Sequence, residues 1–179
     1  LNGVEKDAVP SEDLRDAGFL ECLFQIIASG VVRVTHMGTV CTTFSTAAKP
    51  AYRYVDTDNH TQTMPGLSAH KQEKTALGDF FVDLSLALIA IICQCNNSFT
   101  LENPGPSMMW KLAKMIAIIA QYQLIFVPFD FCAFGTSYKK FTKLLTNHSG
   151  FLALQKRCPG NHVHVTLSGT VYDFGKGKW

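Results

Sequence analysis

Residues 31–47 read Val31-Val32-Arg33-Val34-Thr35-His36-Met37-Gly38-Thr39-Val40-Cys41-Thr42-Thr43-Phe44-Ser45-Thr46-Ala47. The β-branched run at 31–34 predicts a short buried strand. A polar loop with one thiol in its middle follows it. Upstream, Phe19, Leu20, Leu23, Phe24 and Ile27 recur at helical spacing, so a helix is expected to reach Ala28, entered near Ser11-Glu12-Asp13 and closed by Gly30. The chain then repeats the alternation. Residues 71–95 predict a long helix, 98–101 a strand, 107–120 an amphipathic helix, 123–129 and 141–146 two further strands, 149–154 a short helix, and 162–167 a last strand.

Helix and strand in alternation imply an α/β fold with a mostly parallel sheet and an antiparallel terminal strand. The strand at 31–34 is expected beside that at 98–101, with the last two strands antiparallel. Ligands of such sheets sit beyond the carboxyl ends of the strands. That rule selects three segments: 35–45, 102–107 and 130–138. The stretch 37–69 lacks sustained periodicity, and a loop of that length is usually functional.

Composition narrows the classes. The 179 residues suit one domain, read as a motif-bearing core at 13–147 with an extension at 148–179. With 47% hydrophobic residues and 16 Lys+Arg against 14 Asp+Glu, the chain is no disordered charged tail. A formal charge of +2 does not by itself announce a nucleic-acid binder. Charged residues at 17% fall below the usual quarter, which fits a polar and aromatic surface or a covered face. The most apolar run, 84–93, is about half the length of a membrane span, so no membrane partner is expected. No secretory signal precedes the six cysteines and no C-x-x-C pair occurs, so reduced thiols in an intracellular compartment, nuclear or cytoplasmic, are expected.

The three strand-end segments carry a pattern. Gly38-Thr39-Val40-Cys41-Thr42-Thr43-Phe44-Ser45-Thr46-Ala47 follows the first strand, Leu101-Glu102-Asn103-Pro104 the second, and Phe134-Gly135-Thr136-Ser137-Tyr138-Lys139-Lys140-Phe141-Thr142 the third. In order and setting they resemble the cytosine-5 DNA methyltransferases, whose loops read G-x-P-C-Q-x-F-S-x-A, E-N-V and Y-G-x-P-Q-x-R-x-R. A divergent viral and mobile-element-like branch with E-N-P is the nearest in kind, and Ser107 and Trp110 stand where that branch has Ser and Trp. The resemblance implies a Rossmann-like methyltransferase sheet, S-adenosylmethionine as methyl donor and DNA as partner. It implies Cys41 as the nucleophile that adds to carbon 6 of cytosine, and Glu102 as the carboxyl group that shares a proton with ring nitrogen 3. Ser45, Asn103, Lys139, Lys140 and Lys143 are implied as nucleic-acid contacts, and Asp13 and Thr39 as contacts to the donor; Arg53, with Lys49, Lys71 and Lys74 interleaved with Tyr52 and Tyr54, reads from the residues themselves as a stacking and phosphate surface.

The departures are specific. Val40 replaces the proline before the nucleophile, and Tyr138, Lys140 and Thr142 stand for Gln, Arg and Arg. No glycine-rich turn after a strand precedes Cys41; Gly175 and Gly177 form a G-x-G that no helix follows. The fold is therefore expected to be incomplete at its N-terminus, with the donor held only if upstream sequence or a partner chain supplies the glycine loop. The alternative reading is a catalytically inactive methyltransferase-like module that binds nucleic acid or a partner through the 46–75 loop and Lys139 and Lys140, without turnover.

Other candidates have plainer expectations. Cys22, Cys93, Cys95 and Cys132 sit among apolar residues and read as small buried hydrophobes. Cys158, His162 and His164 offer two histidines and one cysteine with no visible fourth ligand, so a surface turn and no metal site are expected. His36 reads as a packed strand-end residue.

Overall fold

The computed structural model describes residues 13–166 and two short strand segments beyond them, 172–173 and 177–178. In chain order the elements are helix α1 (Ala17–Ala28), strand β1 (Val34–Gly38), a hairpin of β2 (Arg53–Val55) and β3 (Thr61–Thr63), and the long helix α2 (Ala69–Gln94). Strand β4 (Ser98–Pro104), helix α3 (Ala113–Tyr122), strands β5 (Ile125–Asp130) and β6 (Phe141–Thr146), and the terminal pair β7 (Tyr172–Asp173) and β8 (Gly177–Lys178) complete it. Short 3-10 turns occupy Thr42–Phe44, Met108–Lys111, Phe131–Phe134 and Ser149–Leu154.

The main sheet runs β1-β4-β6-β5. β1 lies parallel to β4 with Gly38 opposite Glu102, while β6 is antiparallel to both β4 and β5. The expected neighbours are therefore present, but the sheet is mixed rather than mostly parallel: one parallel pair stands against two antiparallel ones. The reason is that β6 returns from the 131–140 loop and inserts between β4 and β5, so it contributes both antiparallel pairs. β1, β4 and β5 all point one way. Gly38, Pro104 and Asp130 thus end at the same edge, where Phe141 begins β6.

Strand alternation puts Met37, Phe99, Leu101 and Leu145 on one face. That face carries the core, joined to Ile27 of α1, to Val82, Leu88, Ile89 and Ile92 of α2, and to Met115 and Ile118 of α3. Truncating a fully buried residue there, such as Leu101, costs about 2–5 kcal/mol. Asp16 caps α1 by accepting from Phe19 N at 2.8 Å, and Gly30, at φ 73°, leaves it in the left-handed region that glycine adopts freely.

Several boundaries differ from expectation. The first strand starts at Val34, because Val31 is 77% exposed and the β-branched run lies outside the core. The helix expected over 107–120 is broken at Leu112, whose extended ψ of 132° separates a 3-10 turn from α3. The 37–69 stretch holds a 3-10 turn and the β2–β3 hairpin. The last expected strand is reduced to a bridge between Val165 and Tyr138; Leu167 lies outside the described residues. Helix α2 starts two residues earlier than expected, and it is 26 residues long with an 18-residue window of mean hydropathy 2.1, so by length and composition it could cross a membrane. Its buried side chains, 39% of that window, pack on the sheet, α1 and α3.

Candidate functional site at the carboxyl edge of the sheet

The first loop leaves β1 at Thr39 and is tied down on two sides. The Thr39 carbonyl accepts from Asn103 Nδ2 at 2.8 Å, and Thr39 Oγ1 lies 2.8 Å from Ser85 Oγ on α2. Cys41 is half-buried and caps the Thr42–Phe44 turn, its carbonyl accepting from Phe44 N at 3.0 Å. Thr43 and Phe44 are buried against α2. Any side chain at Gly78 would press on Thr43 Oγ1, so this close approach requires glycine. Ser45 follows, half-buried, its Oγ accepting from Ala47 N at 3.2 Å.

Arg53 is the clear correction. Expected to meet phosphates, it is only 3% exposed. Its guanidinium lies 4.0 Å above the Phe44 ring, 3.0 Å from Asp79 and 3.2 Å from the Thr75 carbonyl. Burial pulls its pKa down from the usual value, with Asp79 pulling the other way. Arg53 therefore props the turn behind Cys41 and presents no charge to a ligand.

The second segment lies within β4 rather than after it. Alternation sends Asn103 to the core face, where it is fully buried, and Glu102 to the other. Among the described residues Asn103 Oδ1 has no hydrogen-bond partner. The Pro104 carbonyl accepts from Trp110 Nε1 at 2.9 Å and from Ser107 N at 3.0 Å, and Gly105 packs so tightly on Phe141 that a Cβ would collide with its ring. The Glu-Asn-Pro segment is thus braced at both ends.

The third loop reaches back to the second. Lys140 Nζ lies 3.2 Å from Glu102 Oε1 and 4.9 Å over the Phe131 ring, which stacks on Tyr138. Lys139 is exposed. Lys143 is half-buried with its ammonium 5.3 Å over Phe126, and burial lowers its pKa. The three loops are therefore linked in series, first to second through Thr39 and Asn103, and second to third through Glu102 and Lys140.

Of the two residues named for the methyl donor, Thr39 lines a cavity and Asp13 precedes Leu14, which lines the same cavity. That cavity, of about 440 Å³, lies beside β1 and is walled also by Leu23, Ile27, His36 and Leu88; neither Cys41 nor Glu102 lines it. Asp13, at the entrance to α1, is engaged by Arg15, whose side-chain and backbone hydrogen bonds hold the carboxyl pKa at about 2. His36 is exposed rather than packed, with Nδ1 2.8 Å from Thr100 Oγ1. Cys22 is likewise exposed on α1, whereas Cys132 is buried as expected.

One group was missed in the sequence. Cys132 joins Cys158, His162 and His164, and all four ligand atoms lie within 4.8 Å of one another. Cys132 sits far upstream in an apolar setting, and only the fold brings it beside the others. No protein-family model, no curated protein and no solved structure matches this chain.

Proposed function

We propose that this edge is the catalytic-motif portion of a cytosine-5 methyltransferase acting on DNA, built on the reversed-strand half of a Rossmann-like sheet. The observation that supports the reading most is the serial linkage of the three motif loops, Thr39 to Asn103 at 2.8 Å and Lys140 to Glu102 at 3.2 Å. Residues chosen for their chemistry occupy one edge although they come from three separate parts of the chain.

The step these residues carry is covalent addition. The Cys41 thiolate bonds to carbon 6 of a cytosine flipped out of its stack, the electrons of the 5,6 double bond move toward ring nitrogen 3, and Glu102 supplies the proton there. The product is an enamine, nucleophilic at carbon 5. Lys140, 3.2 Å away, balances the carboxylate left once a protonated Glu102 has given its proton to ring nitrogen 3, and exposed Lys139 is placed to meet a flanking phosphate. Asn103 holds the two loops in register.

The methyl donor is a separate matter. S-adenosylmethionine carries an ammonium, a carboxylate and a sulfonium, yet among the described residues no Asp, Glu, Lys or Arg side chain lines the cavity beside β1. No glycine-rich turn follows a strand among the described residues. These residues do not fit the donor on their own, and no methyl-transfer step is assigned to them.

Addition can be tested without a donor. The enamine takes up a solvent proton at carbon 5, and reversal then releases the original hydrogen. DNA labelled with tritium at cytosine carbon 5 should lose its label to water in the presence of the chain and keep it with Cys41→Ser. Label retained with the wild-type chain, or lost equally with the variant, would count against the reading. The binding-only alternative draws on one feature, the Lys71 ammonium 5.3 Å over Tyr52 beside exposed Tyr54. It is favoured if salt-sensitive DNA binding persists with no exchange.

A further inference from the structure

We propose that Cys132, Cys158, His162 and His164 form a closed structural zinc site that fastens the 155–165 segment to the end of β5. This inference is independent of the methyltransferase reading. The four ligand atoms, two sulfurs and two imidazole nitrogens, all lie within 4.8 Å of one another. Zn–S bonds of about 2.3 Å and Zn–N bonds of about 2.0–2.1 Å place tetrahedral ligands roughly 3.3–3.8 Å apart. Cys158 Sγ is 3.3 Å from His164 Nε2 and 3.9 Å from His162 Nε2, close to that spacing.

The surroundings are those of a ligand set rather than a chance cluster. His162 Nδ1 lies 3.3 Å from Asn161 Oδ1, an acceptor placed for the tautomer that carries its proton on Nδ1 and leaves Nε2 its lone pair for a metal. Gly160 N donates to Cys158 Sγ at 3.4 Å, which stabilises a thiolate. Two thiolates and two neutral imidazoles cancel the charge of a divalent cation, and the mixed soft and borderline donors suit zinc. On binding, both thiols lose their protons to solvent. With four protein ligands, no position remains for substrate, so the role is structural.

The segment needs such a fastening. Val163 is 95% exposed and Val165 60%, so apolar burial does not hold it. Its polar ties to the rest of the fold include Asp130 N to the Lys156 carbonyl at 2.9 Å, Cys158 N and Arg157 Nε to Asp130 Oδ2 at 2.9 and 2.8 Å, and Val165 N to the Ser137 carbonyl at 2.8 Å. The last of these reaches the loop that carries Lys140. A metal at the cluster would thereby brace the partner of Glu102 from behind.

The test uses the full chain purified without a polyhistidine tag. Elemental analysis after dialysis against micromolar zinc should give one zinc per chain. Cobalt substituted for zinc should show the visible bands of a tetrahedral ion with sulfur-to-metal charge transfer. Cys158→Ser and His164→Ala, both at half-buried positions, should each lose the metal while keeping the wild-type circular dichroism of the sheet and helices; Cys22→Ser should keep it. Zinc should also protect the 155–165 segment from limited proteolysis. A folded wild-type chain without zinc, a cobalt spectrum unchanged by Cys158→Ser, or a Cys132–Cys158 disulfide in the purified chain would each overturn the proposal.

Discussion

Lys140 Nζ lies 3.2 Å from Glu102 Oε1, an ion pair that joins two loops 38 residues apart. Both side chains keep partial contact with water, at 39% and 22% exposure, so the pair adds no more than about 1 kcal/mol to stability. Its weight is expected in chemistry instead. Glu102→Gln should lower the tritium exchange rate by roughly 10²–10⁴, the range of general acid–base contributions, with little change in the urea midpoint. Lys140→Met should weaken exchange less, because it removes the charge partner and leaves the carboxyl group. Equal exchange in wild type and Glu102→Gln would remove this residue from the mechanism.

Asn103 separates positioning from chemistry. Its Nδ2 donates to the Thr39 carbonyl from a fully buried site, so Asn103→Ala leaves that carbonyl without its donor. The expected loss is about 1–3 kcal/mol, read from denaturant unfolding. Cys41→Ser, at a half-buried turn position, should stay within about 0.5 kcal/mol of wild type. If Asn103→Ala unfolds like wild type, the bond between the first two loops contributes nothing to the site.

These loops also show how far the sequence could be read. Residues 98–101 and 141–146 announce strands by their apolar runs, and the pairing of the first strand with the second follows from the alternation with helices, whereas the insertion of β6 between β4 and β5 does not. Register was harder. The β-branched residues at 31–34 look like a buried strand, yet pairing with β4 slides the strand to Val34–Gly38, because the partner rather than local propensity decides which residues are covered. Arg53 was misread for a related reason. A cation beside Tyr52 and Tyr54 reads as a binding surface, and only the packing of Phe44 and Asp79 around it reveals a structural post. Cys132 was passed over because nearness to His162 and His164 exists only in three dimensions.

Arg53 and Lys139 should therefore behave in opposite ways. Arg53→Ala removes a buried cation from above Phe44 and strands Asp79. Since Asp79 remains partly exposed, the cost should be roughly 2–3 kcal/mol, below the value for a fully buried pair. The salt dependence of DNA binding, measured on the folded fraction, should not change. Lys139→Ala should leave stability alone and reduce the slope of log affinity against log salt by about one. The reverse pattern would return Arg53 to the nucleic-acid surface.

Lys143 gives a pH prediction whose sign follows from its burial. Desolvation lowers its pKa in the folded chain below the usual 10.5. Between the folded and unfolded values the unfolded chain binds more protons, so stability attributable to Lys143 rises with pH across that interval and levels off above 10.5. Below the folded value the full cost of the buried charge is present, offset in part by the Phe126 ring 5.3 Å away. Lys143→Met abolishes this titration. Denaturant unfolding of both proteins from neutral to alkaline pH should thus show the wild type gaining on the variant as pH increases. A constant difference across the series, or a wild type that loses ground, would mean that the ammonium is as well solvated in the fold as in the unfolded chain.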